Sequence, residues 1–284
     1  MASLVPISPM KASTRPSLDL SGPKLRPAVE ALIHASEQVG GVERFAAAVR
    51  LKSEVFQERL GNGNAEMLDR AVFEEIVPLM ATVRRRIGKH LDQQGWPRVR
   101  AAIVELLRDA HVPDTGDARI AAFCNCFPEG KDHRFVRDLA AEILHNVYPD
   151  HYPLMTRWVW DTKANTGVLR EIWHGDNVDR MVIDVPDSHE MFLVLREELS
   201  QFLSDNGIFR DMIWYVDLLK AQIYGDYINA QGGAYLKTDF SEAPNPLEQP
   251  RRILGLDRIG GKLSDSPKTI DGTAHSVDGV KRLN

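Results

Sequence analysis

The chain is poor in cysteine, with two in 284 residues, which rules out a disulfide framework and fits a reducing compartment. A cytoplasmic location is therefore the expectation. No apolar run approaches the roughly 18 residues that a membrane span needs, and the N-terminus lacks the continuous apolar core of a secretory signal. The opening MASLVPISPMKASTRPSLD is Ser-rich with no acid before Asp19, as in transit peptides, but its two basic residues and lack of amphipathic period argue against import. Neither sign of charge dominates. With 35 basic residues against 40 acidic ones, the net of −5 gives no whole-protein attraction to nucleic acid or anionic lipid. Also missing are a P-loop, a nucleophile elbow, an H-E-x-x-H pair and a dinucleotide glycine pattern, so no reaction class can be named from a motif.

What is present is helical period between two irregular ends. Residues 1–27 hold five prolines and four basic side chains (Lys11, Arg15, Lys24, Arg26) against Asp19, and so little apolar surface that a flexible basic arm is expected. Residues 241–284 are rich in Pro, Gly, Ser and Asp and read as an extended tail. Its one apolar island, Ile253-Leu254-Gly255-Leu256, is flanked by Arg251, Arg252 and Arg258 and looks like an anchor for a partner. The body between the two ends, 28–240, carries about −9 of the charge and is large enough to bury a core.

The body reads as an all-α multi-helix bundle. Helices are expected over 28–39 and 42–51, split by Gly40-Gly41, with a third after Ser53. Residues 65–92 read as one long helix or two joined near Pro78, and 96–110 as a helix entered through Pro97. In 133–147 Phe135, Val136, Leu139, Ala140, Ile143, Leu144 and Val147 fall on one face. Asp187 and Glu190 have capping-box spacing ahead of a helix that stops at Asn206-Gly207. The next helix, about 208–230, has an unusually wide apolar face that includes Trp214, as expected in the middle of a bundle or at a partner's surface. Only RMVIDVP, 180–186, looks extended, and one strand makes no sheet.

The stretch GGVERFAAAVRLKSEVFQERLG, 40–61, resembles the helix-turn-helix unit of bacterial repressors, with Ala46, Val49, Leu51, Phe56 and Leu60 at matching spacings. The resemblance implies a small subdomain over 28–63 that meets DNA through Arg44, Arg50 and Arg59. Two departures oppose it. Arg50 stands where the turn glycine belongs, and the would-be recognition helix carries Glu54 and Glu58, which repel phosphate.

Residues 148–176 concentrate three of the five tryptophans, Trp158, Trp160 and Trp173, with Arg157, Arg170 and Glu171. Aromatics and arginine dominate both pockets and protein-binding surfaces. If the chain is an enzyme, Asp150, His151, Asp161, His174 and Asp176 are its candidate acid–base groups. The part LHNVYPDHYPLM is similar to the step before the catalytic acid of helix-hairpin-helix DNA glycosylases, but the Gly-rich hairpin that should precede it is missing.

The only two cysteines fall in FCNCFPEGKDHRF. On a helix over 117–127, Cys124 and Cys126 point about 200° apart and could not grip one ion together. Cys124 reads as core filler, Cys126 as a flanking thiol, and no metal is expected.

The run YGDYINAQGGAYLKTDFSEAPNPLEQPRRILGLDRIGG, 224–261, resembles the end of a small helical accessory protein encoded beside sulfur-oxidising heterodisulfide-reductase-like complexes. The resemblance implies a subunit of a cytoplasmic redox assembly whose cofactors belong to other chains. The expectation is a non-catalytic accessory subunit or adaptor, without cofactor, metal or membrane, that binds protein partners through its tails and helix 208–230. Its contact residues would be Trp158, Trp160, Arg170, Trp173, Trp214, Arg251, Arg252, Ile253, Leu254 and Leu256. A DNA-binding regulator using 40–61 is the alternative, and an enzyme with a site in 148–176 is the second.

Overall fold

The computed structural model describes residues 18–37, 40–112, 115–175, 177–233 and 246–258. Among them the chain is helical with no strand, as a multi-helix bundle requires. The helices are α1 (Gly22–Glu37), α2 (Val42–Leu60), α3 (Arg70–Ile76), α4 (Gly95–Leu107), α5 (Gly116–Asn125), α6 (Phe135–Val147), α7 (Val168–Glu171), α8 (His189–Asp205), α9 (Met212–Gly233) and α10 (Glu248–Ile253). The expected arm and tail fall largely on 1–17 and 259–284, outside the described residues.

Two helices form the centre. α9 packs against α1, α2, α7, α8 and α10, and every residue from Trp214 to Ile223 is buried. Its wide apolar face is thus covered by the chain itself, so neither this face nor Trp214 offers the partner surface the sequence suggested. α6 packs against α2, α4 and α5, and every residue of it except Arg137 is buried.

A helix enclosed on all sides cannot leave polar groups unpaired, yet α6 carries Asp138, Glu142, His145 and Asn146. Each finds its partner on another element or within the helix. Asp138 accepts from the Arg157 backbone N–H at 2.9 Å and from Arg157 Nη2 at 2.8 Å. Glu142 accepts from Lys52 Nζ at 2.8 Å and from Asn146 Nδ2 at 3.2 Å. The Asn146 carbonyl accepts from Ser53 Oγ at 2.7 Å. His145 sets Nδ1 against the Tyr152 carbonyl and Nε2 against Asp217 Oδ2, both at 2.8 Å. A carbonyl and a carboxylate both accept, so satisfying the two contacts takes a hydrogen on each ring nitrogen. Lys220 Nζ closes the group at 2.8 Å from Asp217 Oδ1. Burial alone would push the Asp217 carboxyl up, but the charges of His145 and Lys220 and their hydrogen bonds outweigh it and hold it well below the ordinary carboxylate range.

This pairing overturns the helix-turn-helix expectation. α2 runs unbroken from Val42 to Leu60, because the residues read as its turn are interior helix. Lys52 and Ser53 are buried and bonded to α6, and no Gly or Pro interrupts the segment.

Over 65–92, where one long helix or two joined near Pro78 were expected, one short α-helix, α3, forms. Asp69 caps α3 at Val72 N (2.8 Å), and after Ile76 the chain passes into turns and short 3-10 segments around Pro78, which has no N–H to give. Phe73, Ile76, Val77, Met80, Val83, Ile87 and Leu91 are nevertheless all buried, so the spacing reported the inward face correctly while the backbone took a tighter path. α8 is capped by Ser188, whose Oγ accepts from Met191 N at 3.3 Å, one residue later than the Asp187 expected from spacing.

Both ends are drawn further into the fold than composition suggested. Residues 22–27 belong to α1, where Leu25 is buried, and Ser21 N donates to the Ile172 carbonyl at 2.8 Å. The apolar island of the tail is core: Ile253, Leu254 and Leu256 are buried within this chain rather than held out as an anchor. Lys52 Nζ also donates to the Leu254 carbonyl at 3.0 Å, and Arg84 grips both oxygens of Asp257 at 2.8 and 2.9 Å. Gly255, at φ 76°, is required here, since a Cβ would lie 1.9 Å from the Leu79 carbonyl oxygen. Arg251 is half-buried and Arg252 exposed on α10.

Two outcomes follow from the paired core. Lys52→Met, which strands Glu142, should cost about 3–5 kcal/mol in urea denaturation, whereas Lys52→Met with Glu142→Leu should recover most of it. Because the folded-state pKa of Asp217 is depressed, its stabilisation is present above the ordinary value of 3.8 and is lost as pH falls below it. Asp217→Asn should therefore be less stable at neutral pH but show a flatter decline in acid, read from thermal melts across pH.

Candidate functional site

The aromatic connection that follows α6 is mostly interior. Trp160 is fully buried and Trp158 nearly so, while Trp173 is half-buried, bridged through its backbone to Leu20. Trp158 lies against Tyr224 of α9 with ring centres 5.7 Å apart and planes tilted by 37°. These tryptophans fix the path of the chain; Trp158 and Trp160 do not present a surface.

Their consequence is the segment 181–188, which runs without helix or turn from Met181, itself extended at φ −87°, ψ 146°. Its side chains alternate as a half-buried strand does: Ile183 and Val185 point into the core, while Val182, 81 % exposed, and Asp184 face out. Among the described residues no strand pairs with it. Side chains of the 160–170 region do so instead. Asn165 Nδ2 donates to the Met181 carbonyl at 2.8 Å while its Oδ1 accepts from Ile183 N at 3.1 Å, so one carboxamide replaces a strand's peptide group. Arg170 Nη1 adds a bond to the Met181 carbonyl at 3.2 Å. The Val185 carbonyl accepts from Trp160 Nε1 at 3.0 Å and from Thr162 Oγ1 at 2.9 Å.

Asn165 reaches this position because the antiparallel bridge Asp161–Thr166 closes a tight turn, in which Asn165 sits at φ 51°, a conformation asparagine tolerates. In an extended chain the backbone groups of alternate residues point to opposite edges. Residues 181, 183 and 185 are held on one edge; among the described residues nothing hydrogen-bonds the backbone of Val182 or Asp184 on the other.

The candidate acid–base residues are spread along this connection. The Asp150 and His151 carbonyls accept from Arg196 Nη2 and His189 Nε2, both at 2.9 Å. Asp161 Oδ1 accepts from Ala164 N at 3.0 Å, which makes it a turn residue. His174 is exposed, with its N–H on the Asp19 carbonyl. Asp176 lies outside the described residues.

The DNA candidates are largely spoken for. Arg50 pairs with Glu54 at 3.5 Å and Asp211 at 3.2 Å, and Arg59 with Glu75 at 3.5 Å; Arg44 is exposed beside Gly40. Cys124 is half-buried against the core, where burial pushes its thiol up, and Cys126 is exposed. Among the described residues no three His, Cys, Asp or Glu side chains gather in a metal-holding arrangement.

Two cavities accompany these elements, and neither is lined by Asp150, His151, Asp161 or His174. One, of about 480 Å³ between α1, α7 and α9, has Lys24, Arg170, Glu171, Asp226 and Tyr227 on its walls. Its cations are in use, Lys24 on the Trp173 carbonyl and Arg170 on Asn165 and Met181. The other, of about 470 Å³, is lined by Arg85, Arg86, Lys89, His90, Lys131, Asp132 and His133. Sequence reading passed over it. VRRRIGKH and GKDHR each show basic residues, but nothing in one dimension says that they meet.

No protein-family model matches the chain, and no curated protein or solved structure matches it.

The clamp can be tested directly. Asn165→Gly keeps the positive φ accessible but removes the carboxamide. It should lower stability by about 1–2 kcal/mol and speed amide exchange at Ile183, with protection in α9 unchanged, as read by hydrogen exchange.

Proposed function

We propose that this protein is a non-catalytic accessory subunit, an adaptor, that takes up an extended segment of a protein partner along residues 181–185. The observation that carries the reading is the one-sided strand. Side chains satisfy one backbone edge, while the opposite edge presents the N–H and C=O groups of Val182 and Asp184 beside an exposed apolar side chain. An open edge of this kind is a template for strand addition, in which backbone bonds supply affinity and side chains supply selectivity. Arg180 and Asp184 are exposed on either side of Val182, so an antiparallel segment with an acid opposite Arg180 and a base opposite Asp184 would match. The likeness of residues 224–261 to an accessory protein of sulfur-oxidising complexes directs the first search for that partner to subunits of cytoplasmic redox assemblies.

The decisive variant is Val182→Pro. It removes the central donor of the open edge, and Met181 already has the extended conformation that precedes proline, so the fold should keep its stability within about 0.5 kcal/mol. Affinity purification from the native host, with cross-links read by mass spectrometry, should recover a partner cross-linked near 180–186 with the wild-type chain and lose it with the variant. Recovery of the wild type only as a free monomer, or of the same partner with the variant, would sink the proposal. So would a homodimer that depends on Val182, since two copies also set Arg180 opposite Asp184.

A further inference from the structure

The basic hollow is built from elements other than the strand edge. Both lining segments are anchored in the core: Val83, Ile87 and Leu91 of the turn-rich segment are buried, as is Phe135, two residues after His133. Arg84, the first of three consecutive arginines, turns to the C-terminal segment and is used up on Asp257 and the Pro78 carbonyl. The next two are not used in this way. Among the described residues the side chains of Arg85, Arg86, Lys89 and Lys131, all exposed, have no hydrogen-bond or ion-pair partner, and one carboxylate, Asp132, shares the lining with them. Cations elsewhere on the surface are commonly paired, as Arg50, Arg59, Arg70 and Arg108 are. In a chain of net charge −5, a concave site with four unpaired cations and one acid is a local reversal of sign.

At the back of the hollow the rings of His90 and His133 lie 5.1 Å apart, with His90 also 5.4 Å from Phe135. Burial chiefly, then the neighbouring His133 and Arg98, push the His90 imidazole below its ordinary value, while Asp92 opposes them. An anion placed among these groups would favour the charged form of the His90 ring. The four fixed cations are two guanidinium forks and two ammonium points, the donor types that bind phosphate oxygens in pairs and singly. A single phosphate would neither fill about 470 Å³ nor balance the charge.

We infer that the hollow between residues 85–90 and 131–133 is a binding site for a condensed phosphate, a di- or triphosphate group carried by a small molecule. Arg85 and Arg86 grip its oxygens, Lys89 and Lys131 neutralise the flanks, and His90 adds charge as pH falls. The charged and titratable groups that face His90 are His133, Arg98, Asp92 and Lys89.

The test is calorimetric titration of the full chain with sodium tripolyphosphate at low ionic strength, where surface charge is least screened. One site per chain is expected, with affinity rising as pH falls from about 8 through about 6, because a bound anion raises the His90 imidazole that burial holds below its ordinary value. Arg85→Ser with Lys89→Ser should weaken it roughly tenfold or more. Arg210→Ser, an exposed cation elsewhere, should leave it unchanged. Thermal melts check that each variant is folded. No saturable binding at about pH 6, an unchanged double variant, or equal loss in Arg210→Ser would overturn the assignment. So would binding of a single-stranded oligonucleotide through Arg85 and Arg86 without tripolyphosphate binding, which would make the hollow a nucleic-acid contact.

Discussion

The organisation of this protein depends on α6, a helix enclosed on nearly every side that nonetheless carries four strongly polar residues. Removing Asp138, Glu142 and His145 from water is costly, and each is tolerated only because a particular group on another element meets it. Apolar contacts between helices leave their sliding and rotation loosely determined. Ion pairs at 138, 142 and 145 do not, because shifting a partner by one turn strands a buried charge. Lys52 and Ser53 therefore set the register of α2, Asp217 that of α9, and Arg157 with the Tyr152 carbonyl the start of the aromatic connection.

That register carries outward to the candidate site. Holding Tyr152 and Arg157 places Trp158 and Trp160 in the interior, and Trp160 then reaches Val185 with its indole N–H. The turn at 161–166 delivers Asn165 to Met181 and Ile183. The lone extended segment is thus a product of side-chain hydrogen bonding fixed by the core, and this is why it persists without a sheet. A strand held by backbone neighbours would have both edges in play; one held by side chains keeps its second edge open.

Much of the fold was legible in the sequence wherever one helix face decides burial. α4, α5, α6 and α8 lie close to where period and caps predicted them, and α9 is as central as its wide apolar face implied. The failures share a cause. At 65–92 the apolar spacing was read as a helix, but 3-10 turns bury nearly the same residues, so spacing could not distinguish them. At 40–61 apolar spacing like that of a helix-turn-helix suggested a turn, and at 241–284 Pro, Gly, Ser and Asp suggested an extended tail, whereas Lys52, Arg84 and Asp257 are paired across long stretches of chain. Asn165 was invisible for the same reason. A carboxamide that replaces a strand has no signature until the turn that aims it and the segment that receives it are both in place.

α6 also relates the two surfaces. Phe135, at its first turn, packs against His90 at the edge of the basic hollow, and Tyr148, one residue past its end, opens the connection that leads to the clamp. Its 13 residues separate these ends by about 20 Å at the helical rise. A buried helix locked by ion pairs at successive turns is stiff, so the hollow and the extended edge are carried on one rigid frame. The cations of the protein divide accordingly. Lys52, Lys220 and Arg157 are spent inside, each against a carboxylate, to make that frame. Arg85, Arg86, Lys89 and Lys131 at its end have no side-chain partner among the described residues, and their mutual repulsion is a standing cost that a polyvalent anion would relieve.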